Sequence, residues 1–397
     1  MTDWITRLLG VAALGLSAAF AQGPPILVGA VVSESGPHAA LAADYRKALI
    51  LWQEETNAAG GLLARKLELR LLDDGSEAVQ TAKLMLQLIS QEKVDALIGP
   101  YGSAAALMAG AEAESARRVM VNGAAASRSV HKRSPRYVFQ AGIPYSAYGA
   151  GVLEIARQAG YRKLFIVARD DPAAREMAEA AGEAAAALGL AAGELQVHSR
   201  GASDFAALVA AARAAQADAW LAFGEAADAA EMVKSLKRLG YAPKLFFARA
   251  AAEPKLISLV GQDAEFSLGT LEYDARFATS ASERFVKGFS ARWGARPGPA
   301  AAQGYAAATV LAEAIRRSGG LDQEKLRAEL ASAAIATVLG EYRVNPSNGE
   351  QISLKPAVIE ILRGRPQVVW PRALETAAPV LPYPQWSERQ LLKSERR

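Results

Sequence analysis

Residues 94–107 read VDALIGPYGSAAAL, a short apolar strand that turns sharply into an alanine-rich helix. The turn, residues 99–103, contains two glycines, a proline, a tyrosine and a serine. Gly102 has no side chain and would let a ligand approach the backbone closely. Ser103 would begin the helix, whose first N–H groups have no helical partner and attract an anion. The turn is therefore either a plain connection or a ligand-binding loop.

The overall composition limits the classes of protein to consider. A chain of 397 residues with 51% hydrophobic content is too long for one ordinary core and predicts two domains. The net charge is only +4 and the basic residues are scattered, so no nucleic-acid-binding surface is predicted. The absence of cysteine excludes disulfides, thiolate zinc sites and iron–sulfur clusters.

The N-terminus has the features of a secretory signal. Arg7 precedes an apolar run over residues 8–16, which is too short to span a membrane, and Ala19-Phe20-Ala21 follows. This pattern predicts a cleaved signal peptide over residues 1–21 and a periplasmic mature protein. A buried N-terminal helix is the alternative, but the break at residues 23–25 argues against it.

From residue 26 onward, strands and helices alternate. Residues 26–32 form a continuous apolar strand of the kind buried in parallel sheets. Residues 44–58 place apolar side chains at helical spacing, and a second strand–helix series begins at residue 163. The two series predict an α/β fold with two doubly wound parallel-sheet lobes.

The last part of the chain breaks this alternation. A hairpin is predicted between residues 341–344 and 351–354, and Tyr145 is predicted to begin a helix. The proline- and charge-rich segment from Pro371 is predicted to run over the surface as a tail.

In open parallel sheets, ligands bind beyond the carboxyl ends of the strands. The loops that follow the predicted strands are residues 35–37, 99–103, 122–127, 169–172, 224–225 and 249–250. Two facing sets of such loops predict a cleft between the lobes.

The familiar motifs of catalysis are missing from the sequence. It contains no Walker sequence, no H-E-x-x-H, no G-x-S-x-G and no dinucleotide-binding fingerprint. His38, His131 and His198 are not paired at metal-ligand spacing. We therefore predict no catalytic residue, no metal and no cofactor; an extracytoplasmic enzyme would require a catalytic group that the sequence does not reveal.

Several motifs occur together in a characteristic order. They are residues 26–29, 35–37, 57–66, 73–74, 98–103, 204–205 and 303–307. In this combination the chain resembles the type I periplasmic binding proteins of branched-chain amino acid ABC transporters. The resemblance implies two lobes, joined by a three-stranded hinge, that close on a small solute and deliver it to an inner-membrane ABC permease and its ATPase. It divides the chain into an N-terminal lobe (26–140 plus 274–355), a C-terminal lobe (141–273 plus 356–370) and a tail (371–397).

The resemblance also implies a set of ligand-binding residues. Ser103 matches a serine that holds the ligand carboxylate, and Ala126, with Ser127 beside it, stands at a threonine position. Glu225 stands at an aromatic position, and Arg249 stands where an acidic residue receives the ligand ammonium. The remaining predicted ligand-binding residues are Tyr101, Gly102, Ala124, Ala125, Tyr145 and Arg169.

Arg249 changes the expected ligand. A cation cannot hold an ammonium, whereas it forms charge-assisted hydrogen bonds with a carboxylate. The predicted solute is therefore a small organic carboxylate, aromatic or aliphatic, with Tyr101 and Tyr145 as flat walls. Alternatively, Arg249 pairs with Glu225 or Asp170 and never meets the ligand.

Three further alternatives stay open at this point. Arg169 either binds an anion or forms a salt bridge with Asp170 or Asp171. The solute could also be a branched-chain amino acid or amide, and the protein could signal to a receptor instead of serving a transporter.

Overall fold

The computed structural model describes residues 23–277 and 279–389 of the chain. They form two α/β lobes, each with its own apolar core. The predicted signal peptide lies outside the described residues. Among the described helices, none combines the length and apolar character needed to cross a membrane.

The first lobe is built on a five-stranded parallel sheet in the order β2-β1-β3-β4-β5. Its strands are β1 (Ile26–Val32), β2 (Leu67–Asp73), β3 (Ala96–Ile98), β4 (Met120–Asn122) and β5 (Val138–Gln140). The helices that connect them are α1 (Ala39–Ala58), α2 (Ala78–Ser90) and α3 (Ser103–Ser115). Strand β1 is apolar and almost entirely buried because helices cover both faces of a parallel sheet.

The second lobe continues the alternation after residue 149. Its helices are α4 (Ala150–Gln158), α5 (Pro172–Ala187), α6 (Ala206–Ala214), α7 (Ala226–Arg238) and α8 (Pro254–Val260). Its strands are β6 (Lys163–Arg169), β7 (Ala191–Ala192), β8 (Gln196–His198), β9 (Ala219–Phe223), β10 (Leu245–Ala248) and β11 (Leu268–Leu271). Strands β6, β9, β10 and β11 are parallel neighbours, so the loops after them share one edge.

The chain then returns to the first lobe. Helices α9 (Ser280–Trp293), α10 (Pro299–Ser318) and α11 (Gln323–Ser332) are followed by the short pair β12 (Ile335–Thr337) and β13 (Gly340–Tyr342). Leu311 of α10 and Tyr342 of β13 belong to the core around β1. The last strands, β14 (Ala357–Leu362) and β15 (Arg365–Trp370), join the second-lobe sheet antiparallel beside β11. The chain thus crosses between the lobes three times.

Two local predictions hold only in part. The predicted hairpin forms only an antiparallel bridge between Val344 and Gln351, with backbone hydrogen bonds from Asn345 N to Glu350 O and from Ile352 N to Arg343 O. Strand β13 pairs with β12 instead. The intervening loop turns away to pack on β5, where Gln140 N donates to Gly349 O at 2.9 Å. Tyr145 does not begin an α-helix; residues 145–147 form a 3-10 turn, and α4 begins at Ala150.

The tail is packed more closely than predicted. Tyr383 is buried, and its backbone N–H donates to Lys244 O at 2.7 Å. The Trp386 indole donates to Tyr241 O at 2.9 Å, and the Arg389 guanidinium lies 3.7 Å from the centre of the Trp386 ring. Residues 371–389 are therefore part of the second lobe's structure, while the rest of the predicted tail lies outside the described residues.

Candidate functional site

A cavity of about 300 Å³ lies between the lobes, beyond the carboxyl ends of both sets of parallel strands. Ten of the predicted ligand-binding residues line it: Tyr101, Gly102, Ser103, Ala124, Ala125, Ala126, Tyr145, Arg169, Glu225 and Arg249. Ser127 lines a second, outer cavity of about 780 Å³, which shares Tyr101 and Tyr145 with the inner one. The strand-end loops of the two lobes therefore meet at one place.

The first-lobe wall is made of backbone and small side chains. Gly102 precedes α3 with φ 93° and ψ 143°, a conformation that residues with a side chain rarely adopt. Helix α3 begins at Ser103, so the N–H groups of its first turn lack helical acceptors at the cavity. This wall offers hydrogen-bond donors without a charged side chain.

The turn after β4 completes this wall. A Cβ on Gly123 would lie 2.2 Å from Gln303 O, so the turn packs directly against α10. The Gln140 side chain donates to Ala125 O at 2.9 Å and holds the alanine turn in place. Small residues here leave room for a bound molecule.

The second-lobe wall carries ionised side chains that are already paired. Arg169 donates to Asp171, and its Nη1 lies 2.8 Å from Glu225 Oε1 and 3.9 Å from Asp228 Oδ2. Burial acts to lower the pKa of Arg169, but these carboxylates outweigh it and the pKa is raised. Of the two options for Arg169, the salt bridge to Asp171 is therefore present in the structure.

Arg249 has fewer partners. Its Nε donates to Gly224 O at 3.2 Å and its Nη2 to Glu253 Oε1 at 3.0 Å. The expected alternative pairing with Glu225 or Asp170 is wrong, because the 3-10 turn after β10 brings Glu253 to the guanidinium, while Asp170 pairs with Arg175. Among the described residues, no acceptor is recorded for Nη1 of Arg249, which lines the cavity.

Tyrosines form the apolar part of the wall. Burial, together with the negative charge of Glu272, raises the pKa of Tyr101 to about 12. Burial also raises the pKa of Tyr145, whose ring centre lies 5.6 Å from that of Tyr148. These phenols are neutral at physiological pH and present flat surfaces to a ligand.

Residues 25–355 match the family model described as "Periplasmic binding protein". The chain belongs to this family. As a periplasmic binding protein, it is a solute-binding protein and not an enzyme. The resemblance and the two-lobe α/β fold inferred from the sequence are both confirmed.

Three relatives illustrate the similarity. An "Amino acid binding protein" of Pseudomonas aeruginosa is 24% identical over 345 residues, which cover 84% of this chain and 90% of that protein. The structure of an ABC transporter substrate-binding protein from Desulfitobacterium hafniense complexed with Leu has a TM-score of 0.72 at 22% identity, covering 87% and 99% of the two chains. A solute-binding protein from R. palustris in complex with benzoate has a TM-score of 0.66 at 20% identity, covering 89% and 98%.

Glu272, Gln303 and Tyr148 are among the cavity residues of this periplasmic binding protein that escaped the sequence analysis. Glu272 follows β11 and accepts hydrogen bonds from the Tyr148 hydroxyl and, at 2.8 Å, from Gln303 Nε2. The strand-end rule could have found Glu272, and Gln303 lies within a motif that carried the family resemblance. Tyr148 was not among the predicted ligand-binding residues, because two tyrosines three residues apart give no sign of which one meets a cavity.

Ser127 takes part in a contact between the lobes. Its hydroxyl donates to Glu176 Oε2 at 2.6 Å, and the Arg128 N–H donates to Glu176 Oε1 at 2.7 Å. The Arg128 guanidinium also lies 2.9 Å from Glu183. Glu176 and Glu183 belong to α5, so this set of contacts, which we call the α5 latch, joins the two lobes beside the outer cavity.

The described residues contain no group of three or more His, Cys, Asp or Glu side chains arranged to hold a metal ion. The cavity walls carry hydrogen-bonding groups, paired charges and aromatic surfaces.

Proposed function

We propose that this periplasmic binding protein captures a small organic carboxylate with an aromatic body, for uptake by an ABC importer. The observation that carries the proposal is Arg249, which lines the same cavity as the N-terminus of α3 and has a guanidinium nitrogen for which the described residues supply no acceptor. Both groups favour an anion. The resemblance to amino-acid binders supports the proposal, since it implies an acidic residue for the ligand ammonium at the position where this sequence has Arg249.

The other walls suit the body of such a solute. Tyr101, Tyr145 and Tyr148 supply flat surfaces, and the alanine turn leaves space beside them. Binding near micromolar affinity needs about 8 kcal/mol. A charge-assisted hydrogen bond contributes about 1.5–3 kcal/mol, and burial of the ring contributes the remainder.

The cellular location and the partner proteins are part of the same proposal. The predicted signal peptide would export the chain to the periplasm, where closure of the lobes on the solute prepares it for an inner-membrane permease and its ATPase. Closure is driven only by contacts that the closed form makes and the open form lacks. A receptor that senses the closed form instead of a permease is the alternative use of the same site.

One observation favours a second candidate, an amino acid. Glu272 lines the cavity and is held by two neutral donors, so its negative charge is available to an ammonium. The Pseudomonas aeruginosa relative is named for amino acids.

Titration calorimetry separates the two candidates. With benzoate and leucine as probes, the proposal expects benzoate to bind at micromolar concentration and leucine to bind far more weakly. Tight binding of leucine without binding of benzoate would overturn the proposal in favour of the amino acid.

A further inference from the structure

Glu272 stands at the crossing that follows β11, where the chain leaves the second lobe for the first. Its carboxylate lines the inner cavity together with Arg249 and Tyr145. One oxygen accepts from the hydroxyl of Tyr148, in the turn before α4, and the other accepts from Gln303 on α10. Groups from both lobes therefore fix the position of this carboxylate.

The charge of Glu272 is not compensated by a cation. Both recorded donors to it are neutral, and no described residue forms an ion pair with it. The two arginines of the cavity form their ion pairs with other carboxylates, Arg169 with Asp171 and Glu225, and Arg249 with Glu253. A partly enclosed carboxylate of this kind is stabilised by every further donor that reaches it.

The carboxylate also has room for another donor. An ionised carboxylate has about four lone-pair positions, of which the two neutral donors occupy only part. Because Tyr148 and Gln303 hold the group in one orientation, a ligand donor would meet an acceptor that is already ordered.

We propose that Glu272 is a specificity-determining residue, which accepts a hydrogen bond from a donor on the end of the solute remote from its carboxylate. This inference rests on the proposed function and refines it: the preferred solute is an aromatic acid that carries a hydroxyl group on its ring. A site that holds a buried hydrogen-bonding group discriminates strongly against an analogue without the matching group, because the analogue leaves that group unpaired.

The test is a calorimetric titration with benzoate, 4-methylbenzoate, 3-hydroxybenzoate and 4-hydroxybenzoate. At least one hydroxybenzoate should bind to the wild type about tenfold more tightly than benzoate. The affinity for 4-methylbenzoate should stay close to that for benzoate, because a methyl group donates no hydrogen bond. In Glu272→Gln, which keeps the size of the side chain and an acceptor for Gln303, the preference for the hydroxyl should fall to within about twofold. Glu179→Gln, an exposed change on α5 outside both cavities, is the matched control and should keep the wild-type preference.

The ratio between hydroxylated and unsubstituted acids is the decisive readout, because a purely structural role of Glu272 would weaken all four acids alike. Equal binding of all four acids by the wild type would overturn the role of Glu272 while leaving the proposed function intact. If no acid binds but leucine does, and Glu272→Gln weakens leucine, the proposed function is overturned and the donor that Glu272 accepts is an ammonium. If no acid binds and Glu272→Gln has the same affinity for leucine as the wild type, both proposals are overturned.

Discussion

The first-lobe wall of the cavity presents backbone N–H groups and alanines beside Tyr101 and Gln303, whereas the second-lobe wall presents arginines and carboxylates beside Tyr145 and Tyr148. The first wall depends on chain conformation, with Gly102 at φ 93° before α3. The second depends on side chains, most of which already have partners, as the Arg169 group illustrates. The contrast teaches that anion binding can rest on a main-chain feature that tolerates many solutes, while selection among solutes rests on a few side chains opposite it.

The largest effect on solute affinity is expected from replacing Arg249 in the second-lobe wall. Arg249→Ala removes a charge-assisted hydrogen bond of about 1.5–3 kcal/mol, so the affinity for benzoate should fall by about ten- to a hundredfold. Calorimetry measures the change. Arg175→Ala removes an arginine from the same lobe, paired with Asp170 outside the cavity, and should leave affinity unchanged. Equal losses in both variants would contradict a role for Arg249 at the ligand.

The first wall should respond through its backbone instead. In Gly102→Ala the new Cβ meets no atom within 4 Å, so the cost is conformational, about 1–3 kcal/mol of unfolding free energy. Urea unfolding measures it. The control is Gly182→Ala within α5, where the backbone is helical and the nearest atom lies 3.9 Å away; it should be neutral or slightly stabilising. An unchanged stability of Gly102→Ala would show that the turn relaxes freely.

The smallest effect is expected at the α5 latch, which joins the two walls without touching the inner cavity. Glu176→Gln weakens the hydrogen bonds from Ser127 and Arg128. The expected loss of binding free energy is about 1 kcal/mol, so the affinity for the solute should fall about fivefold. The loss should appear as faster dissociation of the solute in stopped-flow measurements, because a contact that joins the two lobes would slow their separation around the solute. The solute should dissociate from Glu179→Gln at the wild-type rate. An unchanged dissociation rate in Glu176→Gln would show that the α5 latch has no influence on closure.

Much of this arrangement was predictable because parallel sheets send their strand-end loops to one edge. The stretch at residues 94–107 and the loop that begins at Arg249 meet at the cavity for that reason. The pairings of side chains were not predictable. Arg249 meets Glu253 through a 3-10 turn whose sequence resembles an ordinary loop.

Contacts between the lobes were beyond the reach of local patterns. Ser127 and Glu176 are 49 residues apart and lie in different lobes, so no spacing rule relates them. Glu272 follows a predicted strand, yet the sequence does not reveal which crossing between lobes faces inward. The tail was misjudged because proline and charge suggest a solvated segment, although Tyr383 and Trp386 anchor it.

The packing of residues 357–389 has a practical consequence for dividing the chain. The family match ends at residue 355, before β14 and β15 have joined the second-lobe sheet. A protein shortened at that boundary would present β11 as a bare edge strand, with its main-chain groups open to pairing with a neighbouring molecule. We expect such a fragment to self-associate, so a soluble second lobe needs the chain through Arg389.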